Sequence, residues 1–358
     1  MGRGRRGNLP PFPFGRGELT LARDGQSHTS LVGALIGQAG LKRKTGLAMP
    51  ALIIGANLPD VDAACFFWLD GVEHLGFRRG ITHGPIAWVL LPLVLAGLLY
   101  GFDRWQARRG KRPADRLPVR FKWLYALALL GCLTHPALDW LNVYGIRLLE
   151  PFSSQWFYGD TLFIIDVWLW ALLGFATWFS LRREKRGGEW RRPARIAIAV
   201  GLAYIGLNAG ITAQQERHGS LHAIIAFAEH IRIGDGFILE GPVAAEVIAN
   251  PVPFAFWKRE LMFGRDGKWL QEKCWTYDDC FAEPLGEPIC EFPDMVVGHT
   301  DNSQLDAFLF WSRAPFAERA PDGSVILRDA RFYDPRARDR FSVALPDVEC
   351  EPLANPSP

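Results

Sequence analysis

The chain has little net charge, few cysteines for its length and no pair of cysteines at a metal-binding spacing. A formal net charge of +2 over 358 residues is too small to predict a nucleic acid partner. None of the 6 cysteines forms a Cys-x-x-Cys pair, which disfavours a zinc knuckle. Ser153 and Ser154 have no His and Asp in an order that suggests a triad, so a serine nucleophile is also disfavoured.

Apolar residues are distributed unevenly along the chain. The first 20 residues are rich in Arg, Gly and Pro and lack the apolar core of a cleavable signal peptide, so we expect a disordered or membrane-adjacent tail over residues 1–27. The long apolar runs lie before about residue 214. The predicted fold is a membrane all-α helical bundle over residues 28–214 with about four to six membrane segments. A C-terminal soluble domain, α+β or mainly β, is predicted over residues 215–358.

Basic loops between the apolar runs predict the topology. The runs 28–40 and 46–58 are shorter than the ~20 residues that a spanning helix needs, so a re-entrant hairpin and two passages are both open. Longer spans are predicted at 85–102, 121–140, 161–181 and 196–211. Arg and Lys cluster within 104–122 and 182–195, which the positive-inside rule places in the cytoplasm. The opposite ends of these spans then lie on the external, periplasmic side.

Histidines and aspartates recur at those external ends and predict a metal site. His135 and Asp139 are i and i+4 partners in a predicted helix and can reach one ion, although a hydrogen-bonded core pair is the simpler alternative. Ionisable groups at a membrane margin are costly without a partner, so their recurrence favours one shared site. The predicted metal ligands are His83, His135, Asp139, Asp60, Asp160, Asp166 and His28. The predicted catalytic residues are Asp62, Asp160, Asn142 and Tyr144.

The mixed imidazole and carboxylate set suits a divalent metal, with Zn or Mn favoured and one or two ions expected. Such ions activate water and stabilise charge on a phosphate ester, so hydrolysis is the predicted reaction. Asp166 is also a candidate for orienting a histidine. Arg79 and Arg147 are candidates either for holding a phosphate or for anchoring lipid headgroups, and Arg78 is assigned to the headgroups.

Four motifs together resemble the YdjM-like family of membrane-bound metal-dependent hydrolases, also described as LexA-binding, inner membrane-associated hydrolases. They are GANLPDVD at 55–62, RGITHG at 79–84, THPALDWLNVYG at 134–145 and WFYGD at 156–160. The resemblance covers roughly residues 28–180 and implies a bacterial inner-membrane protein with a metal-dependent hydrolase site at the matching His and Asp positions. The His-x-x-x-Asp element also looks like one used by zinc-dependent phospholipase C enzymes, which suggests a phospholipid or another phosphoester as substrate.

The predicted function is therefore a multi-pass membrane hydrolase that cleaves a phosphoester of a membrane lipid or lipid-linked substrate through metal-activated water. The alternative is a non-catalytic scaffold or partner-binding protein in which the polar cluster is a structural metal site or a polar lock. A transporter is disfavoured, because the ionisable residues gather at one margin of the bilayer instead of crossing it.

The predicted C-terminal domain contains four of the six cysteines, namely Cys274, Cys280, Cys290 and Cys350. An even number outside the cytoplasm predicts two disulfides with three possible pairings, and free thiols are expected if the domain is cytoplasmic. Helical patterning is predicted at 222–230. Strands are predicted at 251–257, 295–297, 308–311 and 325–328.

Overall fold

The computed structural model describes residues 29–227, 230–233, 236–239, 245–265, 267–276, 279–286, 290, 292 and 302–350. Three predictions fall outside these residues: the N-terminal tail, the ligand role of His28 and the strand at 295–297.

The N-terminal half of the described chain is helical. Its helices are α1 (Thr29–Gln38), α2 (Ala48–Gly55), α3 (His74–Phe77), α4 (Pro85–Arg108), α5 (Phe121–Trp140), α6 (Val167–Lys185) and α7 (Arg191–Phe227). Short 3₁₀ turns connect them at Leu41–Arg43, Pro59–Phe67 and Ile81–His83. The span expected from residue 161 begins only at Val167, because Asp166 caps α6 by accepting a hydrogen bond from the Leu169 amide.

Two of these helices, α4 and the Arg191–Ser220 part of α7, are long and apolar enough to cross a membrane. The pair α2 and Pro59–Phe67 is bent by 55° and adds a third candidate if it forms one span. The described residues thus offer two to three candidate spans, fewer than the four to six predicted.

Two glycines let α2 and α5 approach at backbone distance. A Cβ atom at Gly55 would lie 2.7 Å from the Ala128 carbonyl oxygen, and one at Gly131 would lie 2.6 Å from the Leu52 carbonyl oxygen. Small residues at such a crossing allow close helix packing in an apolar environment. The close approach brings the end of α2 beside the last turns of α5, where His135 and Asp139 lie.

The C-terminal region consists of antiparallel sheets and one helix. A hairpin contains β1 (His230–Ile233) and β2 (Gly236–Leu239), and a four-stranded sheet has the order β3 (Glu246–Pro251), β4 (Arg259–Arg265), β5 (Lys268–Thr276) and β6 (Asp279–Pro284). A three-stranded sheet contains β7 (Pro315–Arg319), β8 (Ser324–Asp329) and β9 (Ser342–Glu349), and α8 (Ser303–Trp311) precedes it. The fold of a helical region followed by antiparallel sheets is as predicted.

Individual elements of this region differ from the predictions. The strand at 325–328 is confirmed within β8, whereas the predicted strand at 308–311 is wrong because these residues form the end of α8. Of the run 251–257, only Pro251 belongs to a strand. Of the helix predicted at 222–230, residues 222–227 form the end of α7, whereas His230 begins β1. Helix α7 runs without a break through the predicted domain boundary at 214/215.

Two disulfides are present, as predicted, and their pairing is resolved. Cys274 bonds to Cys280 across the β5–β6 hairpin, and Cys290 bonds to Cys350 over a separation of 60 residues. Cys65 and Cys132 are buried thiols in the helical region.

The C-terminal region packs directly on the segment that follows α5. The Trp311 indole donates a hydrogen bond to the Tyr144 carbonyl oxygen at 3.1 Å, and Arg331 donates to the Val143 carbonyl oxygen at 2.8 Å. Val143 and Tyr144 share one hydrophobic core with Trp311 and Leu327. The two regions are therefore joined by a common core as well as by α7.

Candidate metal centre

Two buried histidines from different elements face one carboxylate. His83 lies in the turn before α4, and His135 lies on the last turns of α5. The Nε2 atom of each ring is 3.4 Å from Oδ2 of Asp139. His135 Nε2 is also 3.5 Å from Oδ1 of Asp60. The predicted i, i+4 pair and the predicted convergence of His83, His135, Asp139 and Asp60 are both confirmed.

The hydrogen bonds at Nδ1 determine how each ring points. His135 Nδ1 is 2.8 Å from the carbonyl oxygen of Ala56, which can only accept, so this nitrogen carries the proton. Thr82 Oγ1 is 3.2 Å from an Asp62 oxygen and 2.9 Å from His83 Nδ1. The hydroxyl donates to the carboxylate and accepts from His83. In both rings Nε2 is therefore unprotonated and faces Asp139 Oδ2. Metal-binding histidines typically have this arrangement, in which the other ring nitrogen donates a hydrogen bond to a fixed partner.

The spacing of these donor atoms fits a cation. Ligands about 2.1 Å from one tetrahedral ion lie about 3.4 Å apart, which is longer than a typical hydrogen bond and close to the separations found here. His83 Nε2 and Asp139 Oδ2 are buried and have no hydrogen-bond partner among the described residues. Asp60, His83 and His135 each offer a ligand atom, and these three atoms lie within 4.8 Å of one another. Buried polar atoms are normally satisfied, so these two atoms are candidate donors to a ligand.

Two arginines surround the carboxylates. Arg78 Nη2 is 3.0 Å from Asp60 Oδ1, and Arg79 Nη2 is 3.1 Å from Asp139 Oδ1. With neutral histidines, three carboxylates (Asp60, Asp62 and Asp139) face two guanidinium groups, which leaves a charge of −1 to be balanced. Either a bound cation or a protonated histidine would balance this charge.

The predicted catalytic residue Asp62 lies behind His83. One of its oxygens accepts hydrogen bonds from the Arg79 amide at 2.8 Å and from Thr82, so it orients the histidine. Arg79 has a φ of 56°, a strained conformation for a non-glycine residue that this bond helps to hold. The geometry gives Asp62 a positioning role.

The predicted residues Asn142 and Tyr144 lie beside the donor set. Asn142 accepts a hydrogen bond from Arg79 at 2.9 Å and another from the Tyr144 amide. The Tyr144 ring lies under the Arg79 guanidinium, and within the described part of the chain its buried hydroxyl has no hydrogen-bond partner. Burial raises the pKa of Tyr144, so the hydroxyl stays protonated at neutral pH and can donate to a ligand.

A pocket of about 120 Å³ opens onto these groups. Its polar end includes Asp60, Arg78, His135, Asp139 and Tyr144. Apolar side chains also line the pocket, among them Leu162, Ile164, Leu169, Leu173 and, from the C-terminal region, Phe341. The pocket thus combines charged groups with an apolar wall.

Two predicted ligands do not join the donor set. Asp160 Oδ2 pairs with Arg313 of the C-terminal region at 2.6 Å, and burial raises the pKa of Asp160 although Arg313 opposes the shift. Asp166 accepts from the Leu169 amide and from the Tyr204 hydroxyl at 2.9 Å, so neither oxygen orients a histidine. Both carboxylates already have partners that hold the 160–166 segment in place.

The arginines also differ from the predictions. Arg147 pairs with Glu150 and donates to the carbonyl oxygens of Gly76, Phe77 and Arg78, so it stabilises the loop after α3. Arg79 is held by Asn142, Gly145 and Asp139. Arg78, assigned to headgroups by its sequence position, contacts Asp60 in the site. The sequence offered one sign of this, since Arg78 lies on the side opposite to the basic loops.

Comparison with known proteins agrees with the motifs. A family model described as YdjM inner membrane protein matches residues 24–215, which is more than half of the chain. The resemblance predicted over roughly residues 28–180 is confirmed. No curated protein and no solved structure matches the chain.

Proposed function

We propose a hydrolytic function for this chain, which belongs to the YdjM inner membrane protein family. The proposed reaction is metal-dependent cleavage of a phosphoester in a membrane lipid or lipid-linked substrate. One observation carries the proposal: two buried histidines with fixed Nδ1 partners direct both Nε2 atoms at one oxygen of Asp139, at 3.4 Å each.

His83, His135, Asp60 and Asp139 would hold the cation, for which zinc or manganese suits the donor set. A divalent ion bound there supplies a Lewis acid for the phosphoester oxygen and lowers the pKa of water. Asp62 and Thr82 fix the His83 ring, and the Ala56 carbonyl fixes the His135 ring. Arg79 holds Asp139 in place. Each of these contacts restricts the donors to one arrangement, which a hydrolytic site requires.

The pocket supports the substrate class. Arg78 and the Tyr144 hydroxyl line its polar end and would donate hydrogen bonds to phosphate oxygens. Leu169 and Leu173 are one helical turn apart on α6 and line the apolar wall, so a hydrocarbon chain can lie along this helix. A soluble phosphoester would leave that wall uncovered, which favours a lipid or a lipid-linked molecule.

Hydrolysis by the purified full-length chain tests the proposal. The probes are bis-p-nitrophenyl phosphate and a fluorescent phosphatidic acid in nanodiscs, with added zinc or manganese. His135→Ala and Asp139→Ala are expected to lose at least about 100-fold of the rate, and Tyr144→Phe about 10-fold, since it removes one hydrogen bond. Asp103→Asn is the matched control, because Asp103 pairs with Arg112 and Arg116 near the end of α4 far from Pro85.

One observation favours the second candidate, a scaffold with a polar lock. Arg78 and Arg79 already pair with Asp60 and Asp139, and a protonated His135 between the two carboxylates would complete the charge balance without an ion. Stoichiometric metal in the wild type, lost in His135→Ala, would oppose a purely polar lock. Bound metal without turnover of either ester would favour a structural metal site.

A further inference from the structure

A loop of the C-terminal region exposes large aromatic side chains. This aromatic loop, residues 252–257, connects β3 to β4. Phe254 is 66% exposed and Trp257 is 57% exposed. Phe281 in β6 is the other exposed large hydrophobic residue among the described residues after 227. Two such rings on one short loop indicate an interaction surface.

The aromatic loop is fixed against the helical region. The Trp168 indole at the start of α6 donates a hydrogen bond to the Phe254 carbonyl oxygen at 2.8 Å. The Phe256 ring packs on Trp168, with centroids 6.4 Å apart, and on Tyr204 of α7 at 5.5 Å. Phe254 has a φ of 64°, which a bulky residue rarely adopts. These contacts therefore fix the backbone that carries the two exposed rings.

Contacts with α7 give the depth of the loop. Arg259, at the start of β4, donates hydrogen bonds to Asn208 and Thr212, whereas Phe256 lies beside Tyr204. From Arg259 back to Phe256, the loop therefore runs along α7 toward the basic end of this helix, at Arg191. Leu207 is 54% exposed and belongs to the apolar part of α7 that can cross a membrane. Phe256 thus lies closer than Leu207 to the basic end of α7, and therefore deeper in the bilayer that this helix can cross.

The aromatic loop also borders the start of α6. It contacts Trp168 in the first turn of that helix through the Phe254 carbonyl oxygen and the Phe256 ring. Lys258 follows the loop and is exposed, at a position from which its amine can reach the phosphate headgroups.

We infer that the aromatic loop inserts into the lipid bilayer beside the start of α6. Phe254 and Trp257 lie among the acyl chains, and Lys258 lies at the headgroups. The C-terminal region is thus attached to the membrane surface by this loop in addition to its continuous connection through α7. The bilayer is the partner of this surface, and the inference is independent of the proposed hydrolytic function.

Spin labels on the full-length chain test this inference. Phe254→Cys, Trp257→Cys and, as the matched exposed control, Phe281→Cys are labelled and reconstituted in nanodiscs of phosphatidylethanolamine and phosphatidylglycerol. The native thiols Cys65 and Cys132 are buried, and the unsubstituted chain measures their background labelling. Collisions of each label with oxygen, which concentrates in the bilayer, are compared with collisions with a water-soluble nickel chelate.

Insertion predicts that labels at 254 and 257 collide more with oxygen than with the chelate, and that the label at 281 shows the reverse. Water-like behaviour at 254 and 257, equal to that at 281, would overturn the inference. Labels at 254 and 257 that are shielded from both reagents would also overturn it, because that result indicates burial against a second copy of the chain.

Discussion

Replacing Arg331 by leucine should destabilise the C-terminal region strongly. Arg331 and Asp329 form a fully buried ion pair, with 0% of either side chain exposed and an Nη2–Oδ2 distance of 2.7 Å. Arg331 also donates to the Val143 carbonyl oxygen in the segment next to the site. Arg331→Leu leaves the Asp329 carboxylate and that carbonyl oxygen buried without this partner. Breaking a buried pair from one side costs about 3–5 kcal/mol.

For a region of this size, about 3–5 kcal/mol corresponds to a fall in Tm of about 6–20 °C, measured by thermal unfolding in detergent micelles. Lys273→Leu is the matched control. Its partner is Glu283, and the two side chains are 53% and 41% exposed, so we expect a change within about 1 kcal/mol. Equal melting temperatures for Arg331→Leu and Lys273→Leu would refute the reasoning.

Three further predictions follow from the same contacts. Losing the Cys290–Cys350 disulfide should lower the free energy of unfolding by about 4 kcal/mol, and losing Cys274–Cys280 should lower it by about 2 kcal/mol, because the disulfides close loops of 60 and 6 residues. Equal losses of stability in Cys290→Ser and Cys274→Ser would contradict this prediction. Burial lowers the pKa of His74 to about 4, so the folded chain favours the neutral ring. The contribution of the neutral ring to the free energy of unfolding is complete above about pH 6.5 and falls by about 3 kcal/mol toward pH 4. His74→Gln should therefore flatten the profile of Tm against pH. Asp160→Asn should bind as much metal as the wild type, because Asp160 pairs with Arg313 outside the donor set. Loss of metal from the folded variant would instead indicate that Asp160 is a ligand.

The donor set was predictable because its signals are local. His135 and Asp139 are four residues apart on one helix, and Asp60 and His83 border neighbouring apolar segments, so packing these segments side by side can bring the four residues together. The close α2–α5 crossing at Gly55 and Gly131 is what aligns them.

The position of Asp160 was not predictable, because its partner lies 153 residues further along the chain. The sequence shows Asp160 at the same margin as the ligands but does not show that Arg313 folds onto it. The same limit applies to Arg78 and Arg79, which are adjacent in sequence yet contact different carboxylates.

Short apolar runs were ambiguous between helix and strand. The sequence pattern predicts a strand at 308–311, but Asn302 caps α8 by accepting hydrogen bonds from the Gln304 and Leu305 amides. Phe308 and Trp311 lie one helical turn apart in the core. The asparagine before the run was the available signal for a helix.

Metal content tests the central claim most directly. The full-length chain is stripped with a chelator, incubated with zinc or manganese, freed of excess ion and measured by mass spectrometry, alongside His83→Ala, His135→Ala and Asp103→Asn. We predict stoichiometric metal in the wild type and in Asp103→Asn, and loss of that metal in both histidine variants at unchanged helical content. A folded wild-type chain that retains neither ion, or histidine variants that retain as much as the wild type, would contradict the account.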